Sequence, residues 1–222
     1  MTSWGDAGTA GPLFVAAIGL LGLILSPLAE LAIARLIRRL GGLPAARVRV
    51  TTAAVTAAAC AAFAFRFGPD TVLPAFILLA ALGVQLARID FSLHLLPNPL
   101  VLLMFLGGFL LFLASVFAGS QWGSLIRALA GAAILFAIYL ILGLISPGAI
   151  GMGDIKLAGP VGLYLGYLGW TQLLYGGLLG FVLNGVVTLL VVVRKSRVER
   201  VSEVAHGPSM LAAAAGVALF MP

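Results

Sequence analysis

The chain has 222 residues, of which 62% are hydrophobic and only 9% are charged, and this balance excludes a water-soluble globular domain. The formal net charge is +6, but the basic residues stand in short clusters between apolar runs, where they act as membrane-topology determinants, so nucleic-acid binding is not expected. Because no polar stretch is large enough to fold separately in water, we predict one membrane domain over residues 1–222.

Eight apolar segments follow one another and predict an all-α, polytopic bundle of transmembrane helices. The third, sixth and eighth segments are shorter than the roughly 20 residues that a ~30 Å hydrocarbon core requires. These segments could therefore be partly re-entrant, or the bilayer beside them could be thinner. No Lys or Arg precedes Arg35, which argues against a cleaved signal peptide and predicts that the first segment is retained. The predicted segments are Pro12 to Ile37, Val50 to Phe67, Thr71 to Ala87, Pro99 to Phe117, Leu125 to Ile145, Ile155 to Leu168, Thr171 to Val193 and Ser209 to Met221.

The distribution of basic residues predicts the orientation of the bundle. With the N-terminus outside, the loops after the first, third, fifth and seventh segments face the cytoplasm. Of the 13 Lys and Arg residues, all but Arg66 and Arg127 lie in or beside these loops, as the positive-inside rule requires. The basic residues on the predicted cytoplasmic side are Arg35, Arg38, Arg39, Arg47, Arg49, Arg88, Lys156, Arg194, Lys195, Arg197 and Arg200.

Two residues of the first two segments attract attention but are not expected to carry chemistry. Glu30 lies near Arg35 in the first segment, and we interpret it as an acid that snorkels to the surface or pairs with another helix. Cys60 is the only cysteine, which excludes an intrachain disulfide and a zinc site built from several thiolates. We therefore predict no metal site and no cofactor.

The end of the third segment, LARIDFSLHLLPNPL, contains the first candidate catalytic residue, Asp90. Asn98 followed by Pro99 is typical of an N-cap and a first helical residue, and would open the fourth segment. Pro97 keeps the preceding residues extended. The stretch from Asp90 to Pro97 is thus predicted to form a compact cytoplasmic turn that holds Asp90 at the membrane surface, with His94 as a solvated loop residue.

The start of the sixth segment, GAIGMGDIKLAGP, contains the second candidate, Asp154. Gly151 and Gly153 would allow positive φ angles and leave room for a substrate backbone to approach; a plain loop with a helix cap is the alternative. Lys156 could tune the charge of Asp154 or bind a substrate carbonyl, although a lysine that snorkels to the surface is the more common case.

The two aspartates form a candidate hydrolytic pair, because both are predicted at the same membrane surface, where an unpaired carboxylate is costly and therefore marks a functional site. In such a pair one ionised carboxylate takes a proton from water while its protonated partner polarises the scissile carbonyl. The start of a helix favours the ionised form and the end of a helix favours the protonated form. The sequence therefore predicts Asp154 as the base and Asp90 as the acid.

The two motifs, in this order, resemble those of the bacterial type IV prepilin peptidases, which belong to the GxGD class of intramembrane aspartyl proteases. Asp90 with Leu96, Pro97 and Asn98 is similar to the first family motif, an Asp followed by an Ile/Leu-Pro-Asn/Asp turn, and GMGDIKLAGPVGLYLG is similar to the second. A looser match is HGPSMLAAAAG near the carboxyl end, similar to a Pro-Phe-Gly-Pro segment of the family, with Ala205 and His206 in place of Pro and Phe.

This resemblance implies a function and a location. Asp90 and Asp154 would be catalytic, the substrates would be prepilin or pseudopilin precursors cut after a glycine that ends a short basic leader, and the enzyme would lie among the lipids of the bacterial inner membrane with its site at the cytoplasmic face. Many family members carry a cytoplasmic domain with two zinc-binding Cys-x-x-Cys pairs, associated with N-methylation of the product. The corresponding loop here, Arg38 to Arg49, is short and has no cysteine, so zinc and methylation are not expected.

Two other classes of protein remain open from the residues alone. A proton-coupled transporter or channel would also need two costly intramembrane carboxylates, and a non-enzymatic membrane assembly factor is the third interpretation. The combination of both motifs favours the peptidase. The sequence leaves the oligomeric state open.

Overall fold

The computed structural model describes residues 11–37, 42–146, 150–194 and 206–222, and these residues form eight α-helices. They are α1 (Pro12–Leu36), α2 (Ala46–Phe67), α3 (Leu73–Leu93), α4 (Asn98–Phe117), α5 (Trp122–Ile145), α6 (Met152–Leu168), α7 (Trp170–Arg194) and α8 (Gly207–Phe220). The predicted all-α helical bundle is therefore confirmed. The residues before Gly11 and five of the predicted topology-determining residues, Arg38, Arg39, Lys195, Arg197 and Arg200, lie outside the described ranges, as does Ala205.

Six of the helices, namely α1 to α5 and α7, are long and apolar enough to cross a membrane. As predicted, α6 and α8 are shorter, with 17 and 14 residues. The prediction that the third segment is short is wrong, because α3 continues past Ala87 to Leu93. The helix ends where His94 adopts a left-handed φ of 50° and where Pro97 keeps Leu96 out of the helical region.

Helix α6 lies at the centre of the bundle and packs against α4, α5, α7 and α8. Its residues from Leu157 to Tyr167 are all buried. Glycines make the contact with α5 very close: a Cβ on Gly166 would lie 2.7 Å from the backbone oxygen of Arg127. The Arg127 side chain in turn donates hydrogen bonds to the carbonyl oxygens of Gly166 (2.8 Å) and Tyr167 (2.7 Å). These bonds satisfy carbonyl groups that the end of a helix leaves without an intrahelical partner. They hold the C-terminal end of α6 in place, which is the opposite end from Asp154.

A buried polar cluster joins α1 to α2. Glu30 is 1% exposed, and its carboxylate accepts hydrogen bonds from Thr52 Oγ1 (2.6 Å) and Arg49 Nε (3.2 Å). Of the two interpretations of Glu30, the helix-pairing one is therefore confirmed. A buried carboxylate needs such partners, because an unpaired charge in an apolar interior is costly.

Candidate active site

The last turn of α3, the turn before α4 and the first turn of α6 surround a cavity of about 240 Å³, which we call the catalytic cavity. Both predicted catalytic residues line it. It also brings together most of the other predicted site residues, while Pro97 lies beside the cavity without lining it. The lining residues are Asp90, His94, Leu95, Leu96, Asn98, Gly151, Met152, Gly153, Asp154 and Lys156.

Asp90 is held by a helix that is remote in sequence. It lies in the last turn of α3 and is only 6% exposed, so its predicted position at the end of a helix is confirmed, whereas the predicted turn begins only after Leu93. Its Oδ2 accepts a hydrogen bond of 3.1 Å from the backbone N–H of Gly207, the first residue of α8. An N–H group at a helix N-terminus stabilises negative charge. The start of α8 therefore favours the ionised form of Asp90.

The environment of the Asp154 carboxylate disfavours its ionised form. It lies in the first turn of α6, as predicted, and its Oδ1 is buried with no hydrogen-bond partner among the described residues. Burial raises the pKa of Asp154 to about 6, the nearby Asp90 carboxylate acts in the same direction, and the backbone N–H of Gly151 opposes both. A neighbouring negative charge of this kind favours the protonated form of a carboxyl group.

The glycines of the GMGD motif serve close packing. The expectation of positive φ angles is wrong: Gly151 is the N-cap of α6 with φ −68°, and Gly153 lies within its first turn. A Cβ on Gly153 would lie 3.0 Å from Leu96 Cβ, and a Cβ on Gly151 would lie 3.2 Å from Asp154 Oδ2. Gly153 therefore allows the turn before α4 to approach the start of α6, while Gly151 leaves room for the Asp154 carboxylate.

A hydrogen bond of 3.0 Å from Lys156 Nζ to Asn98 Oδ1 connects α6 to α4 at the edge of the catalytic cavity. The prediction that Asn98 caps α4 is wrong, because Pro97 is the N-cap and Asn98 is the first helical residue. Pro97 itself is extended, with φ −62° and ψ 120°, and Leu95 and Leu96 before it are not helical. The side chain of Asn98 is free to accept from Lys156 because it does not bond the backbone.

The sequence analysis does not single out Tyr139, and it identifies His206 and Gly207 only as part of the segment that resembles the Pro-Phe-Gly-Pro segment of the family. His206 Nε2 and Tyr139 Oη are hydrogen-bonded at 2.8 Å, and this contact joins α5 to the residue that precedes α8. Burial lowers the pKa of His206, which favours the neutral ring. The Gly207-Pro208 pair is a helix-start signal and could have indicated an N-terminus available to a carboxylate, whereas no sequence signal distinguishes Tyr139.

Within the residues that the structure describes, no group of three or more His, Cys, Asp or Glu side chains is placed to hold a metal ion. The cavity contains two carboxylates, one lysine and one histidine, which is a set suited to proton transfer.

The model of the type IV leader peptidase family matches residues 76–192. The matched range includes both aspartates and runs from α3 to α7, but it ends before His206 and Gly207. Searches of curated proteins and of solved structures give no match.

Proposed function

The chain belongs to the type IV leader peptidase family, and from this we propose that it is a membrane-embedded aspartic endopeptidase that removes the basic leader from prepilin-like precursors, with Asp90 and Asp154 as its catalytic residues. One observation carries the aspartic mechanism: the two carboxylates line the same cavity although 64 positions separate them. Water-activating hydrolysis by a carboxylate pair needs this proximity.

The proposed reaction uses one proton shared by the pair. The ionised carboxylate takes a proton from a water molecule, whose oxygen attacks the scissile carbonyl carbon, while the protonated carboxyl donates a hydrogen bond to the carbonyl oxygen. When the C–N bond breaks, the leaving amine takes a proton from the pair. The products are a free leader with a new carboxyl terminus and a mature chain with a new amino terminus.

The hydrogen bonds favour Asp90 as the ionised member and Asp154 as the protonated member, which is the reverse of the assignment from the helix ends. That assignment considered only the helix to which each aspartate belongs. The Gly207 N–H at the start of α8 stabilises charge on Asp90, whereas Asp154 Oδ1 is buried with no hydrogen-bond partner among the described residues. We therefore propose Asp90 as the base and Asp154 as the acid.

We propose that the catalytic cavity faces the cytoplasm and that the N-terminus lies outside. Arg47, Arg88 and Lys156 lie at the end of the bundle that carries the aspartates, and Arg66 and Arg127 lie at the other end. A basic leader would stay in the cytoplasm, as the positive-inside rule requires. The junction between this leader and the apolar segment would then reach the membrane surface beside Asp90 and Asp154.

The direct test incubates the purified enzyme with a precursor that has a basic leader, a glycine junction and an apolar segment. The wild type is compared with Asp90→Asn and Asp154→Asn. Because each substitution removes one half of the proton-transfer pair, we expect each variant to lose at least about 10³-fold in cleavage rate. Cleavage at the wild-type rate by both variants would rule out the aspartic mechanism. Proton flux in proteoliposomes, measured with the same three proteins, tests the transporter alternative.

A further inference from the structure

A second cavity, of about 740 Å³, opens on the side of the bundle between α4 and α5. Both helices pack against α6, but they make little contact with one another, so the gap between them is floored by α6. We call this cavity the side groove. Its walls include Leu102 and Phe105 from α4 and Leu129 and Phe136 from α5.

The side groove adjoins the catalytic cavity. Asn98 and Lys156 line both of them, and the hydrogen bond between these two side chains marks the boundary. Apart from this pair, the described lining of the groove is apolar. A bound chain that passes Asn98 and Lys156 therefore leaves a polar, carboxylate-containing site and enters an apolar one.

The length of the groove fits a short stretch of peptide. From Asn98 to Phe105 the wall of α4 rises by seven residue steps, which is about 10 Å or two helical turns. Large wall side chains are partly uncovered, with Leu102 56%, Leu129 42% and Phe136 40% exposed. Apolar side chains of a bound segment would remain in an apolar environment there, as they would in lipid, while gaining defined contacts.

The floor of the groove is deep because Gly159 has no side chain. Gly159 is buried, yet a Cβ at this position would meet no atom within 4 Å. Most helix-facing glycines in this bundle instead mark close approach, as Gly166 does against α5. The space above Gly159 is therefore part of the groove and is not filled by a neighbouring helix.

We propose that the side groove binds the apolar segment of the precursor that follows the scissile bond, and that it thereby sets the position of the junction between Asp90 and Asp154. This inference rests on the proposed function. The order of polar and apolar parts identifies the occupant. A precursor has a basic leader, a junction and then an apolar segment. The protein has a polar, carboxylate-containing cavity beside an apolar groove. A lipid chain would match the apolar walls but gains nothing from the connection to the catalytic cavity.

The test fills the groove from its floor and from one wall. Gly159→Leu adds a side chain where there is open space, and Leu129→Trp narrows the groove at an exposed position that tolerates a larger residue. We expect each variant to raise KM for the precursor by about tenfold or more and also to lower kcat, because the groove binds a part of the substrate that does not react and thereby positions the part that does. The matched controls are Gly185→Leu on α7, where a Cβ also meets nothing within 4 Å, and Ile126→Trp, one turn before Leu129 and 66% exposed. Both controls should keep the wild-type KM.

A binding measurement separates this proposal from the catalytic one. A photoreactive residue at Leu102, placed in the Asp90→Asn protein, should cross-link to the precursor on the carboxyl side of its junction, and Gly159→Leu should reduce the yield about tenfold. An unchanged KM in both groove variants, a cross-link to the leader, or a cross-link to lipid alone would overturn the proposal. If Asp90→Asn instead cleaves like the wild type, the proposed catalytic mechanism fails while the cross-link still decides the role of the groove.

Discussion

At the scale of single residues, Asp154 determines how the activity should depend on pH. Its pKa is raised to about 6 by burial and by the neighbouring Asp90. The proposed reaction needs one protonated carboxyl in the pair, and this proton is lost as the pH rises through the raised pKa. We expect kcat/KM to fall by up to about tenfold for each pH unit above about 6.

This pH profile is measured with a precursor that has no ionisable side chain near its junction, so that the titration belongs to the enzyme. A rate that keeps rising from pH 6 to pH 8 would contradict the assignment of Asp154 as the acid.

Gly207 provides the second prediction at this scale. A Cβ at this position would lie 2.7 Å from Asp90 Oδ2, so Gly207→Ala must displace either the carboxylate or the start of α8. Since a displacement of about 1 Å at a reacting group can cost 10²-fold in rate, we expect kcat to fall by about this factor. Gly216→Ala in the same helix is the control, because a Cβ there meets nothing within 4 Å. Equal activity of the two variants would show that the start of α8 does not position Asp90.

The residues themselves were predicted unequally well. Asp90 and Asp154 stand in two motifs that are local in sequence, and an acid at a predicted membrane surface is conspicuous. The bond from Gly207 to Asp90 spans 117 positions and the bond between Tyr139 and His206 spans 67. Such contacts depend on which helices become neighbours, which local patterns do not specify. For this reason the sequence alone predicts the pair and assigns its acid and base only from the two helices that carry the aspartates, without the contribution of α8.

At the scale of helices, the stability of the fold should be sensitive to any added side-chain volume at the contact between α5 and α6. Gly166→Ala would put a Cβ 2.7 Å from the backbone oxygen of Arg127, and a backbone atom cannot move aside as a flexible side chain can. Overpacking of this kind typically costs about 1–3 kcal/mol, so we expect a lower thermal unfolding midpoint in detergent. Gly123→Ala in α5 meets nothing within 4 Å and should unfold like the wild type. The prediction is wrong if the two variants have the same midpoint.

The helices were predicted in number and order because hydrophobic runs and proline positions are strong signals. Proline occupies one of the first two positions of α1, α3, α4 and α8, which is where its fixed φ and missing N–H are tolerated. The end of α3 was misplaced because Arg88 and Asp90 interrupt the apolar run without interrupting the helix. A hydrophobic run indicates where the membrane ends, whereas the helix ends only where the conformations of His94 and Pro97 require it.

At the scale of the whole molecule, the proposed orientation can be measured on spheroplasts. Cys60 is buried and is first replaced by Ala, after which Gln121→Cys and Ala45→Cys are introduced one at a time at opposite ends of the bundle. With the N-terminus outside, a membrane-impermeant maleimide should label the first variant in intact spheroplasts and the second only after permeabilisation. Retained precursor cleavage is the control for correct insertion. The opposite labelling pattern would place the catalytic cavity outside and contradict the proposed cytoplasmic cleavage.

The bond between Gly207 and Asp90 also has a consequence for biosynthesis. During translation α3 and α6 enter the membrane well before the residues that start α8 leave the ribosome. Until then Asp90 lacks the Gly207 N–H that stabilises its charge. A growing chain therefore contains both aspartates before the proposed site is complete. We therefore expect full activity only after α8 has packed against α3.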